Sequence, residues 1–478
     1  MNEFRVISFE VGSILGGPLN VEFFSNSDKI DTNSFGCSLL IGENGTGKSQ
    51  CLYMLVSIFR HLQVVKGSGK FVRFPHSDKY KISYILDGNI YIITQEGSSG
   101  TVEDKYGGIE ISEIKLPSKI VVQSFSVSDK FTHGEKSEDD YYTYLGIRTT
   151  SNAIYTSQIE KDIVESIVKG ITNDGFIDFL SDTLNFLEYD KNIEIVFQVK
   201  NKKQFRNVTQ KNDFIEQYEK FATSNRRVNN KLKKYSPSYA FEKVNDILNN
   251  YQAKDNSISY MINLNEKRDF SSLRTFYEFL DLLSSMQILE NAKVKFAKAS
   301  SDFKFEYASS GEKQILYTLL TINTYIQANS LVLIDEPEIS LHPNWQMKYI
   351  KLLEESFNKY NNCHFIIATH SHFLVSDLRK NISSVVAMKR IKKNIVAELY
   401  TSSTYGWSAE DILYNVFGVA TTRNYYLAND VEKIVQAIIK KQLNDEVKEK
   451  VAELNRLLPH LKNTDPLKHI IEKIIKRV

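Results

Sequence analysis

Apolar positions fall into two patterns along the chain. Short unbroken apolar runs occur at Cys37 to Ile41, in KIVVQSF (from Lys119), at Leu331 to Ile334 and in HFIIATHSHFLV (from His364). Their length and punctuation predict buried strands rather than helices. Between them lie segments with apolar residues every three or four positions, which predict amphipathic helices. The first, carrying Leu52, Leu55, Val56 and Phe59, follows the first run, and QILYTLLTINTYI precedes the third.

Residues 131 to 295 read mostly as helices. Ile159, Ile163 and Ile167 stand at four-residue intervals, and FIEQYEKF, YAFEKVNDILNN and FYEFLDLLSSMQILENA repeat the pattern around one short strand, NIEIVFQV. None sustains the heptads of a coiled coil, so a compact helical domain is expected there. From about 406 a helical tail is expected. Its Ser408-Ala409-Glu410-Asp411 resembles a capping box, with Asp411 where Glu or Gln is commoner, ahead of Ile412, Leu413, Val416 and Phe417. The tail's final amphipathic stretch is suited to docking on a partner or on the rest of its own chain.

Chemistry enters at the ends of the buried runs. The first leads into Gly42-x-x-x-x-Gly47-Lys48-Ser49 and then a helix, the context of a phosphate-binding P-loop. Its backbone N–H groups would close around phosphate oxygens, Lys48 would reach the β- and γ-phosphates, and the Ser49 hydroxyl would sit on Mg²⁺. The nucleotide-binding set is then Gly42, Asn44, Gly45, Thr46, Gly47, Lys48, Ser49 and Gln50. The third run ends on Asp335 and Glu336. Two adjacent carboxylates repel unless a cation shares the site, and a metal-bound phosphate substrate supplies one. Asp335 fits the acid that holds the Mg²⁺ shell, and Glu336 the base that orients the attacking water.

Composition changes little. The chain has 478 residues, is 42% apolar and 25% charged, and carries a net charge of +2, as an ordinary globular protein does. Local charge is less even: Lys200 to Lys234 holds 11 Lys/Arg against 3 Asp/Glu. That region is either a DNA-phosphate contact or a solvated surface balanced by the acidic run at Glu135 to Asp140. Cys37, Cys51 and Cys363 lack metal-ligand spacing and disulfide parity. With no leader and no long apolar span, a soluble cytoplasmic protein is expected and no membrane partner.

The order P-loop, Gln123, Ser309-Ser310-Gly311-Glu312, Asp335-Glu336 and His370 resembles the ABC ATPases, the SMC/RecF-like branch in particular. The resemblance implies an α/β ABC ATPase head split by a helical insertion, with a helical C-terminal tail. The head would comprise residues 1–130 and 296–405, the insertion 131–295 and the tail 406–478. It implies a homodimer, or a higher oligomer, that sandwiches ATP and Mg²⁺. Ser309, Gly311 and Glu312 would meet the nucleotide of the opposite subunit, and Ser340 and Leu341 would lie at the subunit contact. His370 would touch the γ-phosphate, and Gln123 would contact Mg²⁺ or the attacking water.

Relative to transporter ATPases, Ser-Ser-Gly-Glu replaces Leu-Ser-Gly-Gly-Gln, and the insertion is long. The motifs look like the stand-alone ATPases of bacterial anti-phage systems of the Septu type, which work with an HNH nuclease. A RecF-like DNA-repair clamp and an ATP-retaining scaffold with little turnover are the other readings. After His370 there is no Asp-x-Asp of a Toprim nuclease, no Cys-x-x-Cys and no clear His-Asn-His cluster, so no intrinsic nuclease is expected.

Overall fold

The computed structural model describes residues 3–14, 17–25, 35–126, 130–131, 141–146, 152–224, 233–251, 256–266, 269–298, 301–360, 362–375, 383–392, 394–400, 425–440, 444–460 and 466–477. It divides into two compact units, Met1–Gly406 and Trp407–Val478. The expected capping box at Ser408 to Asp411 lies outside the described residues.

The larger unit is built on a seven-stranded sheet. Its order is Asn394–Tyr400, Ser383–Ile391, Gly36–Ile41, His364–Thr369, Leu331–Asp335, Ile120–Ser124 and Tyr142–Tyr144. All neighbours pair in parallel except the first two. The P-loop strand Gly36–Ile41, the carboxylate strand Leu331–Asp335 and the histidine strand His364–Thr369 are buried at every position. Burial on both faces explains their unbroken apolar runs.

The P-loop helix, Lys48–Ser68, is held between this sheet and a second, six-stranded antiparallel sheet formed by Phe4–Ile14 and its neighbours. Phe59 meets Phe4 at 5.8 Å and Tyr84 at 5.4 Å between ring centroids. Leu52, Leu55 and Phe59 share one core with Leu40, Leu333 and Ile366. A helix covered on two sides needs apolar residues around most of its circumference.

At the other end of the histidine strand, His364 is fully buried. Its Nδ1 accepts from the Val6 N–H at 3.1 Å, which leaves Nε2–H to donate to the Ser38 hydroxyl at 2.9 Å. Burial, aided by nearby Arg5, pushes its pKa well below the usual histidine value. The unfolded chain therefore takes up a proton first. This contribution to stability is complete above about pH 6.5 and is lost as pH falls below it toward the depressed folded value. The melting temperature should fall from about pH 7 to about pH 5, and His364→Gln should flatten that part of the slope.

The inserted region is less purely helical than its sequence pattern predicts. Tyr142–Tyr144 pairs with Ile120–Ser124, so the large sheet continues past residue 130. The expected strand, Asn192–Gln198, is one of four in an antiparallel sheet with Ser257–Asn263, Lys293–Lys298 and Ser301–Lys304. Ser257–Asn263 buries Ile258, Tyr260 and Ile262, and Lys293–Lys298 buries Val294 and Phe296. Such period-two burial marks strands with one covered face. Helix Ser271–Ser285 supplies part of that cover, with Phe276 5.3 Å from Tyr260 and 6.1 Å from Phe197 between ring centroids.

The smaller unit contains helices Tyr425–Ile439, Asp445–Leu457 and Pro466–Ile475 around Ile434, Leu454 and Ile471. Among the described residues, no helix is long and apolar enough to cross a membrane.

Candidate nucleotide site

The site forms where the P-loop strand, the carboxylate strand and the histidine strand end side by side. The histidine strand lies between the other two, so one sheet edge presents all three loops. Ligands of open α/β sheets bind at this carboxyl edge.

The turn after the P-loop strand requires its glycines. Gly42 has φ of 151°, and a Cβ there would lie 2.3 Å from the Met388 carbonyl oxygen. Gly47, at φ 90°, caps the P-loop helix. Thr46 Oγ1 donates to the Glu43 carbonyl at 2.8 Å and closes the turn, while Glu43, Asn44 and Gly45 face solvent. Gln50 accepts a hydrogen bond from Lys130 at 3.0 Å.

Lys48 is 5% exposed, and its Nζ donates to the carbonyls of Gly42 at 2.8 Å and Glu43 at 3.0 Å. Burial pulls its pKa below the usual lysine value, against the opposing influence of Glu336, Glu338 and Asp335. An ammonium held at a glycine-rich turn that opens a helix is suited to phosphate.

Ser49 Oγ donates to Asp335 Oδ1 at 2.9 Å, across 286 positions of sequence. Both are hard oxygen ligands, the donor type Mg²⁺ takes when it also binds substrate phosphates. Glu336 follows in left-handed backbone, φ 54°, anchored by its N–H to the Ala368 carbonyl at 2.9 Å. A non-glycine residue held there is strained, a feature that gathers at functional sites.

His370 stands just past the histidine strand. Its backbone N–H and its Nδ1 both reach Glu338 Oε1, at 2.7 and 2.9 Å. Glu338 was not among the sequence candidates. A single acid beyond Pro337 carries no signal in the sequence until the loops converge.

Gln123 does not join this group. It lies opposite Ile334 in register, whereas Asp335 lies opposite Ser124. Alternate strand residues point to opposite faces, so Gln123 and Asp335 face away from one another. The Gln123 amide instead donates to Thr321 Oγ1 at 3.5 Å, under the helix Ser310–Tyr325. A strand position was legible from the sequence; its face was not.

Ser309, Ser310 and the 68% exposed Tyr307 stand at the open N-terminus of that helix. Ser309 and Glu312 form a reciprocal capping box, with Ser309 N–H donating to Glu312 Oε2 at 2.7 Å. Glu312 also pairs with Lys298 at 3.0 Å. Its carboxylate is therefore engaged within the chain rather than held out for a nucleotide. Gly311 packs against Trp345 and the Ser340 carbonyl, and a Cβ there would meet the indole at 2.9 Å. Ser340 is exposed, whereas Leu341 is buried within its own chain.

The basic stretch contributes the exposed Lys202, Lys203 and Arg206 on helix Lys202–Asn207, and residues 225–232 lie outside the described residues. Among the described residues, no group of three or more His, Cys, Asp or Glu is arranged to hold a metal by itself. A bound Mg²⁺ would need substrate oxygens beside Ser49 and Asp335.

Residues 24–375 match the family model described as AAA ATPase domain. The chain is similar to Septu protein PtuA of Bacillus thuringiensis, 28% identical over 193 residues, covering 35% of this chain and 46% of that protein. It is similar to the Retron Vc95 probable ATPase of Vibrio cholerae serotype O1 biovar El Tor, 24% identical over 192 residues, with 36% and 35% covered. Protein ea59 of Escherichia phage lambda is 30% identical over 135 residues, with 28% and 25% covered. The chain thus spans less than half the length of these relatives. Among solved structures, an SMC head domain from Thermotoga maritima aligns with a TM-score of 0.33 at 10% identity, covering 83% of this chain and 99% of that one.

Proposed function

The chain belongs to the AAA ATPase domain family, and we propose that it is a Mg²⁺-dependent ATPase whose nucleotide-closed homodimer governs a separate nuclease in bacterial anti-phage defence. The observation that carries the reaction is the Ser49–Asp335 contact at 2.9 Å, which joins two distant segments beside the buried Lys48. Lys48 would exchange its two carbonyl partners for β- and γ-phosphate oxygens. Ser49 and Asp335 would hold Mg²⁺, which when bound neutralises charge on the phosphates. Glu336 would orient water and accept its proton, and His370 would contact the terminal phosphate.

The dimer rests on the exposed N-terminus of helix Ser310–Tyr325. The positive end of its dipole suits the terminal phosphate bound by a second copy. Ser309→Arg should leave ATP binding to the P-loop within about twofold of wild type and reduce hydrolysis at least about 10-fold, because closure is blocked. Steady-state turnover measured beside equilibrium binding checks this. Normal hydrolysis by Ser309→Arg would sink the composite site.

The defence role is supported by the similarity to Septu PtuA and retron ATPases. An HNH-type nuclease is the partner this reading names. Purification from the native host tests it: a nuclease retained in ATP and released on hydrolysis supports the role. Exposed Lys202, Lys203 and Arg206 favour a second reading, a clamp that binds DNA directly. Turnover stimulated several-fold by duplex DNA would select the clamp, and tight ATP retention without turnover would select a scaffold.

A further inference from the structure

Glu338 is 5% exposed, and one of its oxygens takes both bonds offered by His370, the backbone N–H at 2.7 Å and the ring Nδ1 at 2.9 Å. The two bonds fix the ring and the backbone that carries it. A carboxylate only accepts, so Nδ1 must carry the hydrogen. In a neutral ring Nε2 is then a bare lone pair, which faces phosphate oxygen unfavourably. Only the doubly protonated ring donates to Glu338 and to a phosphate at once. The His370 side chain remains 46% exposed, so an edge of the ring is open to a ligand.

We propose that Glu338 is a positioning residue for ATP hydrolysis, orienting His370 and keeping its ring doubly protonated so that Nε2–H is presented to the terminal phosphate. This rests on the ATPase reading above and on His370 as the phosphate contact. The electrostatics agree. The Glu338 hydrogen bond, against burial, raises the His370 pKa above its ordinary value; Glu336 adds to the rise and Lys48 opposes it. Burial raises the Glu338 carboxyl, but its bonds to His370 and Thr369 outweigh burial and hold it below the usual range. Among the described residues, the charged groups that act on the ring are Glu338 and Glu336 beyond the carboxylate strand and Lys48 on the P-loop helix.

Glu338→Gln keeps the shape and removes the charge. It should lower kcat at least about 10-fold with ATP affinity within about twofold of wild type. The alkaline limb of its kcat profile should move down by about one pH unit or more. Added to His370→Ala, Glu338→Gln should change kcat by less than about twofold, because its effect runs through the ring. Losses that multiply in the double variant, or an unshifted alkaline limb, overturn the proposal. If Glu338→Gln does not fold, imidazole ¹⁵N NMR of the wild-type chain decides: His370 singly protonated at about pH 7 also overturns it. Wild-type kcat in His370→Ala would instead overturn the phosphate contact on which it rests.

Discussion

Glu336→Gln should bind ATP with near wild-type affinity and hydrolyse it at least about 10²-fold more slowly. The substitution preserves volume and removes the group able to accept a proton. The backbone at Glu336 is held left-handed at φ 54° by its bond to Ala368, so the amide should occupy the place of the carboxylate. Lys48, Ser49 and Asp335 are untouched, which is why binding should persist. With hydrolysis blocked, the closed dimer should accumulate in ATP and Mg²⁺ and appear as a doubled mass by light scattering. Undiminished turnover would move the base to another residue.

Lys48→Ala should lower ATP affinity at least about 100-fold, since a phosphate bound there loses its charge-assisted partner. The Lys48 ammonium bridges the carbonyls of Gly42 and Glu43 from a position only 5% exposed. Removing it also leaves two carbonyl oxygens facing the place a phosphate must enter. Equilibrium binding of labelled ATP reads the loss directly. Thermal melts give a second reading: ATP at about 100 times the wild-type Kd adds about 2.7 kcal/mol to wild-type stability and should add less than about 0.5 to the variant. Wild-type affinity in Lys48→Ala would remove the P-loop reading.

What could be read without the structure follows from how locally each feature is encoded. The P-loop strand, its turn and its helix are contiguous, so spacing and flanking pattern were enough to identify them. The helix expected from QILYTLLTINTYI is likewise local, and it forms as Ser310–Tyr325. Features made by pairing were harder to see. Lys293–Lys298 alternates polar and apolar residues over only its first four positions, too few to stand out after a long helix. Gln123 was assigned by order along the chain, and order does not say which face of a strand a side chain takes. Glu338 acquires its place only when the turn after the carboxylate strand meets the end of the histidine strand.

The interior place of the P-loop strand in its sheet bears on how the chain is made. Its in-register neighbours, His364–Thr369 and the strand from Ser383, are encoded far downstream. At about 5–20 residues per second, the roughly 320 residues between the P-loop strand and the histidine strand take about 16–65 s to synthesise. Throughout that interval both edges of an apolar strand lack their eventual partners on the ribosome, a template for wrong pairing. The first half of the chain should consequently depend on chaperones while it waits. A truncation ending before His364 should aggregate rather than yield a small ATP-binding domain.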